Sequence, residues 1–441
     1  VLRFGTDGVR GEAFTELTPE YVTRLGRAAA RVLGTGQWVV GRDPRESGDV
    51  LERALIAGLT AEGATVMAGG VVPTPAVAHA AAAWDVPAAV ITASHNPFRD
   101  NGVKFFASGG LKLTDDVERQ IEAVLGSVGD EMSARDVSSP HIADADVAGA
   151  YVAHLVGLFP AGSLDGLRVV LDCANGAMSV VAPAAARVLG ATVEVVHAAP
   201  DGRNINDGCG ATAPASLAAA VVAAGADLGL AFDGDGDRVI AVDHLGNVVD
   251  GDRMLALAAL QLRELGQLTN DTVVVTVMSN LGFHRAMAAA GIEVVTTAVG
   301  DRYVLEALEA GDHALGGEQS GHIIYRHLAT TGDGLLAGLL LARSVHDHHQ
   351  SLAQLAADVM TGYPQVLVNV RVAERHPHVA AELAAEIAAA EAALAGEGRV
   401  LVRASGTEPL VRVMVEAATP ELARAVAEDL AETARARFRP S

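Results

Sequence analysis

One unit of sequence occurs three times in this chain, and it limits the fold more than any other feature. Residues 38–40 read as a strand, a polar loop follows, 50–62 form a helical run, and 63–66, Gly-Ala-Thr-Val, read as a second strand. The unit returns as 167–172, a loop, a helical run to 189 and 190–195, then as 272–277, a loop, a helical run to 290 and 291–295. Strand, helix, glycine, strand is the pattern of a βαβ crossover, so three copies predict three α/β domains. Each copy then closes on an apolar strand, a polar loop and another apolar strand: AAVI-TASHNP…VKFF, DLGLAF-DGDGDR-VIAV and HALG-GEQSGH-IIY. Loops at strand ends of α/β sheets are where ligands sit. Repeats kept for packing alone would not need three such different polar loops.

At 441 residues the chain has room for roughly three domains of about 150 residues each. Polar joins near 140–150, near 250 and near 361–364 divide it into 1–147, 148–250, 251–362 and 363–441. The last part reads differently: a strand at 366–372, one long helix over 379–395, strands at 399–403 and 411–416, and a final helix over about 420–437. The expected fold class is α/β, with three repeated mixed-sheet domains and a smaller C-terminal α+β domain around a central cleft.

A formal net charge of −22 disfavours a nucleic-acid or anionic-membrane partner, since both require a basic patch. No apolar run approaches the ~20 residues of a membrane helix, and VLRFGTDGVRG has no leader pattern. Cys173 and Cys209 are too few for a disulfide framework, which predicts a cytoplasmic setting. An anionic ligand must then meet a locally basic cleft. Of 32 basic residues only Lys104 and Lys112 are lysines. Lysine, unlike arginine, has a pKa that burial can tune toward neutrality, so Lys104, ten residues after Ser94, is a candidate proton carrier.

The loops differ in chemistry. Ser94, in Thr-Ala-Ser-His-Asn-Pro, is either a turn hydroxyl or a nucleophile. Asp233, Asp235 and Asp237 alternate with glycines, so three carboxylates converge while the backbone turns. Oxygen-only ligands favour Mg²⁺ or Ca²⁺ over zinc, and the twelfth position, His244, lacks the acid of an EF-hand, which leaves Mg²⁺ with a phosphate oxygen as a further ligand. Glu318, Gln319, Ser320 and His322 offer the mixed polar groups a sugar ring needs. Arg403, Ser405, Gly406, Thr407 and Arg412 belong either to an ordinary strand-connecting turn or to a phosphate nest with forked guanidinium contacts, and Arg10 sits in a glycine-punctuated N-terminal loop. The run of histidines at 346–349 reads as a solvated helix end.

Together these motifs resemble those of the α-D-phosphohexomutases, in that family's order and spacing, from Thr6 to about Glu416. FGTDGVRG, GEQSGH, the Val-Gly-Asp-Arg-Tyr segment at 299–303 and RASGTEPLVRVMVE are similar to the branch acting on glucosamine phosphates. The resemblance implies Ser94 as a phosphoserine whose phosphate shares Mg²⁺ with Asp233, Asp235 and Asp237. It implies Glu318 and Ser320 on sugar hydroxyls, and Arg403, Ser405, Gly406, Thr407 and Arg412 on the distal phosphate. Arg10, Lys104, Arg238 and His322 would serve the reacting phosphate or proton transfer. The implied reaction interconverts glucosamine 6-phosphate and glucosamine 1-phosphate, with a hexosamine 1,6-bisphosphate as intermediate and activator, toward UDP-N-acetylglucosamine and cell-wall precursors. The partner is a small sugar phosphate, and a homodimer is left open. A phosphomannomutase or phosphoglucomutase, or a Mg²⁺-dependent sugar phosphatase, are the rival readings.

Overall fold

The computed structural model describes residues 2–5, 7–128, 142–405 and 409–438. They form two compact units, Val1–Met278 with Ile292–Asp358, and Ser279–Gly291 with Val359–Ser441.

The first unit holds three sheets. The first joins β1 (Val9–Glu12), β2 (Gln37–Arg42), β3 (Thr65–Val71), β4 (Ala88–Ile91), β5 (Asp100–Phe106) and β6 (Ile142–Asp144) in the order β1-β5-β4-β2-β3-β6. The second joins β7 (Arg168–Asp172), β8 (Thr192–Val196), β9 (Leu228–Phe232), β10 (Val239–Asp243) and β11 (Val248–Val249) in the order β11-β10-β9-β7-β8. The third joins β12 (Thr272–Thr276), β13 (Glu293–Thr297), β14 (Leu315–Gly317) and β15 (Ile323–Tyr325) in the order β13-β12-β14-β15. One plan runs through all three. A central strand (β2, β7 or β12) lies parallel to two neighbours, and the second of these turns back into an antiparallel strand. The turning points are β4 to β5, β9 to β10 and β14 to β15. The predicted repeat is therefore a repeat of topology, and the three polar loops occupy the same place in it.

The sheet interiors explain the apolar runs. Every residue of β4, β9, β10 and β12 is buried, as expected of strands covered on both faces. In the second sheet Val170, Ala231 and Val242 pack under Leu217 and Val221 of the helix Ala215–Ala224. Burying one such Leu or Val side chain stabilises by roughly 1.5–3 kcal/mol. Helix Pro19–Leu33 starts where Thr18 accepts the Tyr21 N–H and Pro19 presets the first turn. No helix among the described residues is long and apolar enough to cross a membrane.

The second unit is built on the antiparallel sheet β16 (Gln365–Arg371), β17 (Gly398–Ala404) and β18 (Leu410–Ala417), ordered β16-β18-β17 and backed by helix Pro420–Arg437. Helix Leu281–Ala290 belongs here: Glu416 Oε2 accepts its first N–H at 3.0 Å, and Asn280 Oδ1 accepts the N–H groups of Gly282 and Tyr363 at 2.9 Å each. The single helix expected over 379–395 is instead two, Val379–Glu382 and Ala384–Ala393. They part at Leu383 (φ −111°, ψ 20°), which is fully buried in the C-terminal core beside Val379.

Candidate active site

Ser94 follows β4 in a turn that its neighbours hold against its own preference. Its φ of 52° is left-handed, a region that costs a non-glycine residue of order 1–3 kcal/mol and persists only where the surroundings enforce it. The enforcement begins at Arg45, whose side chain is fully buried and anchored to Asp43 by Nε to Oδ2 at 2.9 Å. Arg45 Nη2 donates to the carbonyls of Ser94 and Asn96, both at 2.9 Å, and Nη1 to those of Asp100, at 3.0 Å, and Pro97. Thr92 Oγ1 donates to Asp43 Oδ2 at 2.7 Å and accepts the Ser94 N–H at 2.9 Å. From the second sheet, Asn206 Nδ2 donates to the Ser94 carbonyl at 2.9 Å. A planar fork of donors suits this cage as a lysine would not. Sequence reading missed Asp43, Arg45 and Asn206: Arg45 and Asn206 work on backbone carbonyls and Asp43 accepts from Arg45 and Thr92, contacts that no motif reveals.

The acidic loop between β9 and β10 meets this turn. Ser94 Oγ donates to Asp233 Oδ2 at 2.6 Å. The approach depends on Gly234, where a Cβ would stand 2.6 Å from the Ser94 carbonyl oxygen. Asp233, Asp235 and Asp237 are all buried, and ligand oxygens from the three lie within 4.8 Å of one another. Burial, then the adjacent Asp237 and Asp235 charges, push Asp233 well above the usual carboxylate range. Asp235 Oδ2 is occupied by Thr74 Oγ1 at 2.6 Å and Lys104 Nζ at 2.8 Å, and Asp237 Oδ2 by Lys104 at 3.0 Å. Asp235 Oδ1 and Asp237 Oδ1 are buried and make no hydrogen bond. Two orphaned carboxylate oxygens beside a third acid, with no soft donor present, fit a hard divalent cation.

Behind the acids runs a chain of alternating charge. Lys104 Nζ lies 2.7 Å from Asp7 Oδ2, which is also 2.6 Å from Arg10 Nη2, while Asp7 Oδ1 is 2.8 Å from Lys112 Nζ. Lys112 also pairs with Asp301, whose Oδ2 is 3.7 Å from His322 Nε2, and His322 Nδ1 stands 3.8 Å from Asp237 Oδ1. Although burial pushes the other way, Lys104, Lys112 and Arg10 hold Asp7 well below its ordinary range. Burial alone would lower Lys104, yet Asp235, Asp237 and Asp7 raise it well above the usual lysine value. The neutral lysine that burial was expected to favour is thus replaced by a firmly protonated one. Burial likewise opposes the charge of His322, but Asp237 and Asp301 raise its pKa. Both lysines of the chain are in this network, together with Asp7 and Asp301. Those acids stand inside the motifs FGTDGVRG and VGDRY, and their pairing with Lys112 is a long-range contact invisible to spacing.

The remaining loop of the unit, between β14 and β15, carries Glu318 and Ser320. Glu318 Oε1 accepts the Gly300 N–H at 3.2 Å, and Ser320 Oγ donates to Glu318 Oε2 at 3.3 Å. Arg238 donates its backbone N–H to Asp233 Oδ1 at 3.2 Å, and its guanidinium Nε is buried 3.8 Å from Asp237 Oδ1 without a hydrogen bond. Against the effect of burial, Asp237, Asp233 and Glu318 raise the Arg238 pKa. Ser94, Lys104, Arg10, Arg238, His322 and the three aspartates are therefore linked in one network.

In the second unit Arg403 on β17 lies directly opposite Arg412 on β18. No ion pair to either is found among the described residues. Burial first and then Arg412 lower the Arg403 pKa, as expected of two like charges set opposite each other. Ser405 is buried and donates its N–H to the Leu410 carbonyl at 2.8 Å. Gly406 and Thr407 lie outside the described residues.

Four consecutive segments match the four parts of one family. Residues 1–130, 149–246 and 250–363 match Phosphoglucomutase/phosphomannomutase alpha/beta/alpha domains I, II and III, and 367–433 match its C-terminal domain. The chain belongs to the phosphoglucomutase/phosphomannomutase family. Among relatives of this phosphohexomutase, a protein of Rhodococcus jostii named phosphoglucosamine mutase is 53% identical over 439 residues, 98% of each chain. One of the same name from Frankia casuarinae is 54% identical over 458 residues, 99% of each. Among solved structures, a phosphoglucomutase/phosphomannomutase family protein of Burkholderia thailandensis aligns with TM-score 0.80 at 24% identity, over 98% of this chain and 97% of that one. An N-acetylphosphoglucosamine mutase of Aspergillus fumigatus, solved with GlcNAc-6P and magnesium, aligns with TM-score 0.71 at 19% identity, over 99% and 96%. These two show the fold. Family and acidic cluster together support a metal cofactor in this phosphohexomutase.

Proposed function

We propose that the chain is an isomerase interconverting glucosamine 6-phosphate and glucosamine 1-phosphate through a phosphorylated Ser94 and a 1,6-bisphosphate. The observation that carries the reading is Ser94 Oγ, caged on a left-handed turn and held 2.6 Å from Asp233 of the acidic loop. The amino-sugar assignment rests on full-length relatives of that name at 53–54% identity.

In the forward reaction the bond between Ser94 Oγ and phosphorus breaks as the C1 hydroxyl oxygen of glucosamine 6-phosphate bonds to that phosphorus, and the hydroxyl proton passes to a base of the site. That proton ends on the Ser94 oxygen; the bisphosphate turns round, its O6–phosphorus bond breaks as Ser94 Oγ bonds to that phosphorus, O6 takes up the serine proton, and glucosamine 1-phosphate leaves. Asp233, Asp235, Asp237 and the serine phosphate would hold Mg²⁺, which would supply charge neutralisation for the transferring group. The chain's own residues do the rest. Arg45 and Asn206 fix the turn so that Oγ is aimed before substrate arrives. Lys104, firmly protonated, donates to transferring oxygens, as do Arg10 and Arg238. His322, with Nε2 buried and without a hydrogen bond, is the group placed to move a proton. Glu318 and Ser320 take sugar hydroxyls, and Arg403, Ser405, Gly406, Thr407 and Arg412 grip the phosphate not being transferred. The reading sets the enzyme in the cytoplasm, in keeping with two buried free cysteines.

The test is a parallel assay of glucosamine 6-phosphate, glucose 1-phosphate and mannose 1-phosphate, with Mg²⁺ and catalytic 1,6-bisphosphate, following free phosphate as well. A strong preference for the amino sugar is expected. Preference for a plain hexose phosphate would overturn the branch, and stoichiometric phosphate release would overturn the mutase.

A further inference from the structure

A second cluster of metal-ligating side chains lies in the second sheet, apart from the three loop aspartates. β7 ends at Asp172, and its parallel neighbour β8 ends at Val196, directly beside it, so His197 is the first residue beyond that edge. The two ends are tied by Cys173 N–H to the Val196 carbonyl at 3.2 Å and Asn175 N–H to the His197 carbonyl at 2.6 Å. Cys209 arrives on the loop before helix Ala215–Ala224. Gly210, at φ 73°, lets that loop lie close: a Cβ there would stand 2.5 Å from the Phe232 carbonyl oxygen. Its N–H donates to Asp172 Oδ2 at 2.9 Å, while Asp172 Oδ1 accepts the Ala174 N–H at 2.9 Å. Ligand atoms of Asp172, His197 and Cys209 all fall within 4.8 Å of one another.

One detail separates this from an ordinary buried triad. His197 Nδ1 is buried and stands 3.2 Å from Asp172 Oδ2, yet makes no hydrogen bond. Two ligands on a tetrahedral ion with bonds of ~2.0–2.1 Å are spaced by about that much. We infer that Asp172, His197 and Cys209 form a site for a borderline-soft divalent ion of the Zn²⁺ or Co²⁺ type, with water in the fourth position. An oxygen, a nitrogen and a sulfur donor select such an ion over Mg²⁺, which the oxygen-only cluster suits. The backbone N–H groups on Asp172 orient the carboxylate as outer contacts do in metal sites. A nucleophilic Cys-His-Asp triad is the competing use of the same residues. It needs His197 oriented by a hydrogen bond to Asp172, and Nδ1 makes none. On binding, the ion displaces the thiol proton, which goes to solvent, and a metal–sulfur bond forms with no redox change. The bound ion would brace the loop of Asn206, whose amide also donates to the Asn96 carbonyl in the Ser94 turn at 3.2 Å.

The test is a Co²⁺ titration of the full chain in excess Mg²⁺, following near-ultraviolet thiolate-to-cobalt charge transfer, which carboxylates cannot give. One equivalent should produce the band in the native protein and in Cys173→Ala, and none should form in Cys209→Ala. His197→Asn, chosen because asparagine tolerates left-handed backbone, should weaken binding by about tenfold or more. Absence of the band in the native protein overturns the site, as does a band that survives Cys209→Ala or is unchanged in His197→Asn.

Discussion

Around Asp233, Asp235 and Asp237, buried negative charge meets buried positive charge: Lys104 bonds two of the acids, and Arg238 lies against them. In the C-terminal unit Arg403 and Arg412 face each other across β17 and β18, and among the described residues no carboxylate answers them. Ion pairs within the chain hold the first region, and the groups named there that still lack a hydrogen bond are Asp235 Oδ1, Asp237 Oδ1, Arg238 Nε and His322 Nε2. The second region leaves its charge open. A group that reacts must be held in one geometry, whereas a clamp for a phosphate at either end of a turning sugar needs unspent donors. The contrast suits a catalytic centre in one case and a binding site in the other.

The comparison can be broken most forcefully at Asp235. Asp235→Asn removes one metal ligand and one partner of Lys104, and turnover should fall on the order of 10²–10³-fold. Turnover within a few-fold of wild type across a Mg²⁺ titration would refute the assignment. At the other region, Arg403→Ala should raise KM by about 10- to 100-fold, the equivalent of roughly 1.5–3 kcal/mol for a charge-assisted contact, with a smaller change in kcat. Inorganic phosphate should raise the Tm of wild type more than that of Arg403→Ala. An equal fall in kcat and kcat/KM would show instead that Arg403 acts only in the transition state.

The smallest effect sharpens the contrast with a buried acid outside both regions. Asp333 caps helix Gly334–His348 through Leu336 N–H at 2.9 Å and accepts the Tyr151 hydroxyl at 2.7 Å. Burial pushes its pKa up to about 6, against those hydrogen bonds. A carboxyl whose folded pKa is raised binds its proton more tightly in the native state. Its contribution is therefore complete below the unfolded value near 4 and is lost as pH rises through about 6. Asp333→Asn should flatten the dependence of Tm on pH over that window while keeping the cap, since asparagine caps a helix as well as aspartate does. An unchanged slope would mean that another group carries it.

The repeat was legible because strand, helix and glycine impose periods that one sequence displays. The loop chemistry was legible for the related reason that Asp233, Asp235 and Asp237 gather their donors within five residues. Arg45 and Lys112 were opaque. Arg45 acts on carbonyls 49 to 55 positions away and Lys112 on Asp301, 189 positions away, so only the fold brings them to their partners. The direction of the Lys104 shift was hidden likewise, since it depends on how many acids the tertiary structure places around one ammonium. The division at Leu383 was hidden as well, since an alanine-rich run reads as one helix.

The central claim is that Ser94 carries the group that moves. Protein phosphorylated at Ser94 should be mixed with substoichiometric glucosamine 6-phosphate in a rapid-quench experiment, and the Ser94 peptide and sugar products weighed together. The account predicts that phosphate leaves Ser94 as an equal amount of hexosamine 1,6-bisphosphate appears, with no free phosphate. Completed turnovers rephosphorylate the serine from C6, so the contradicting result is phosphorus originally on Ser94, marked with ³²P, that stays there while unlabelled glucosamine 1-phosphate accumulates.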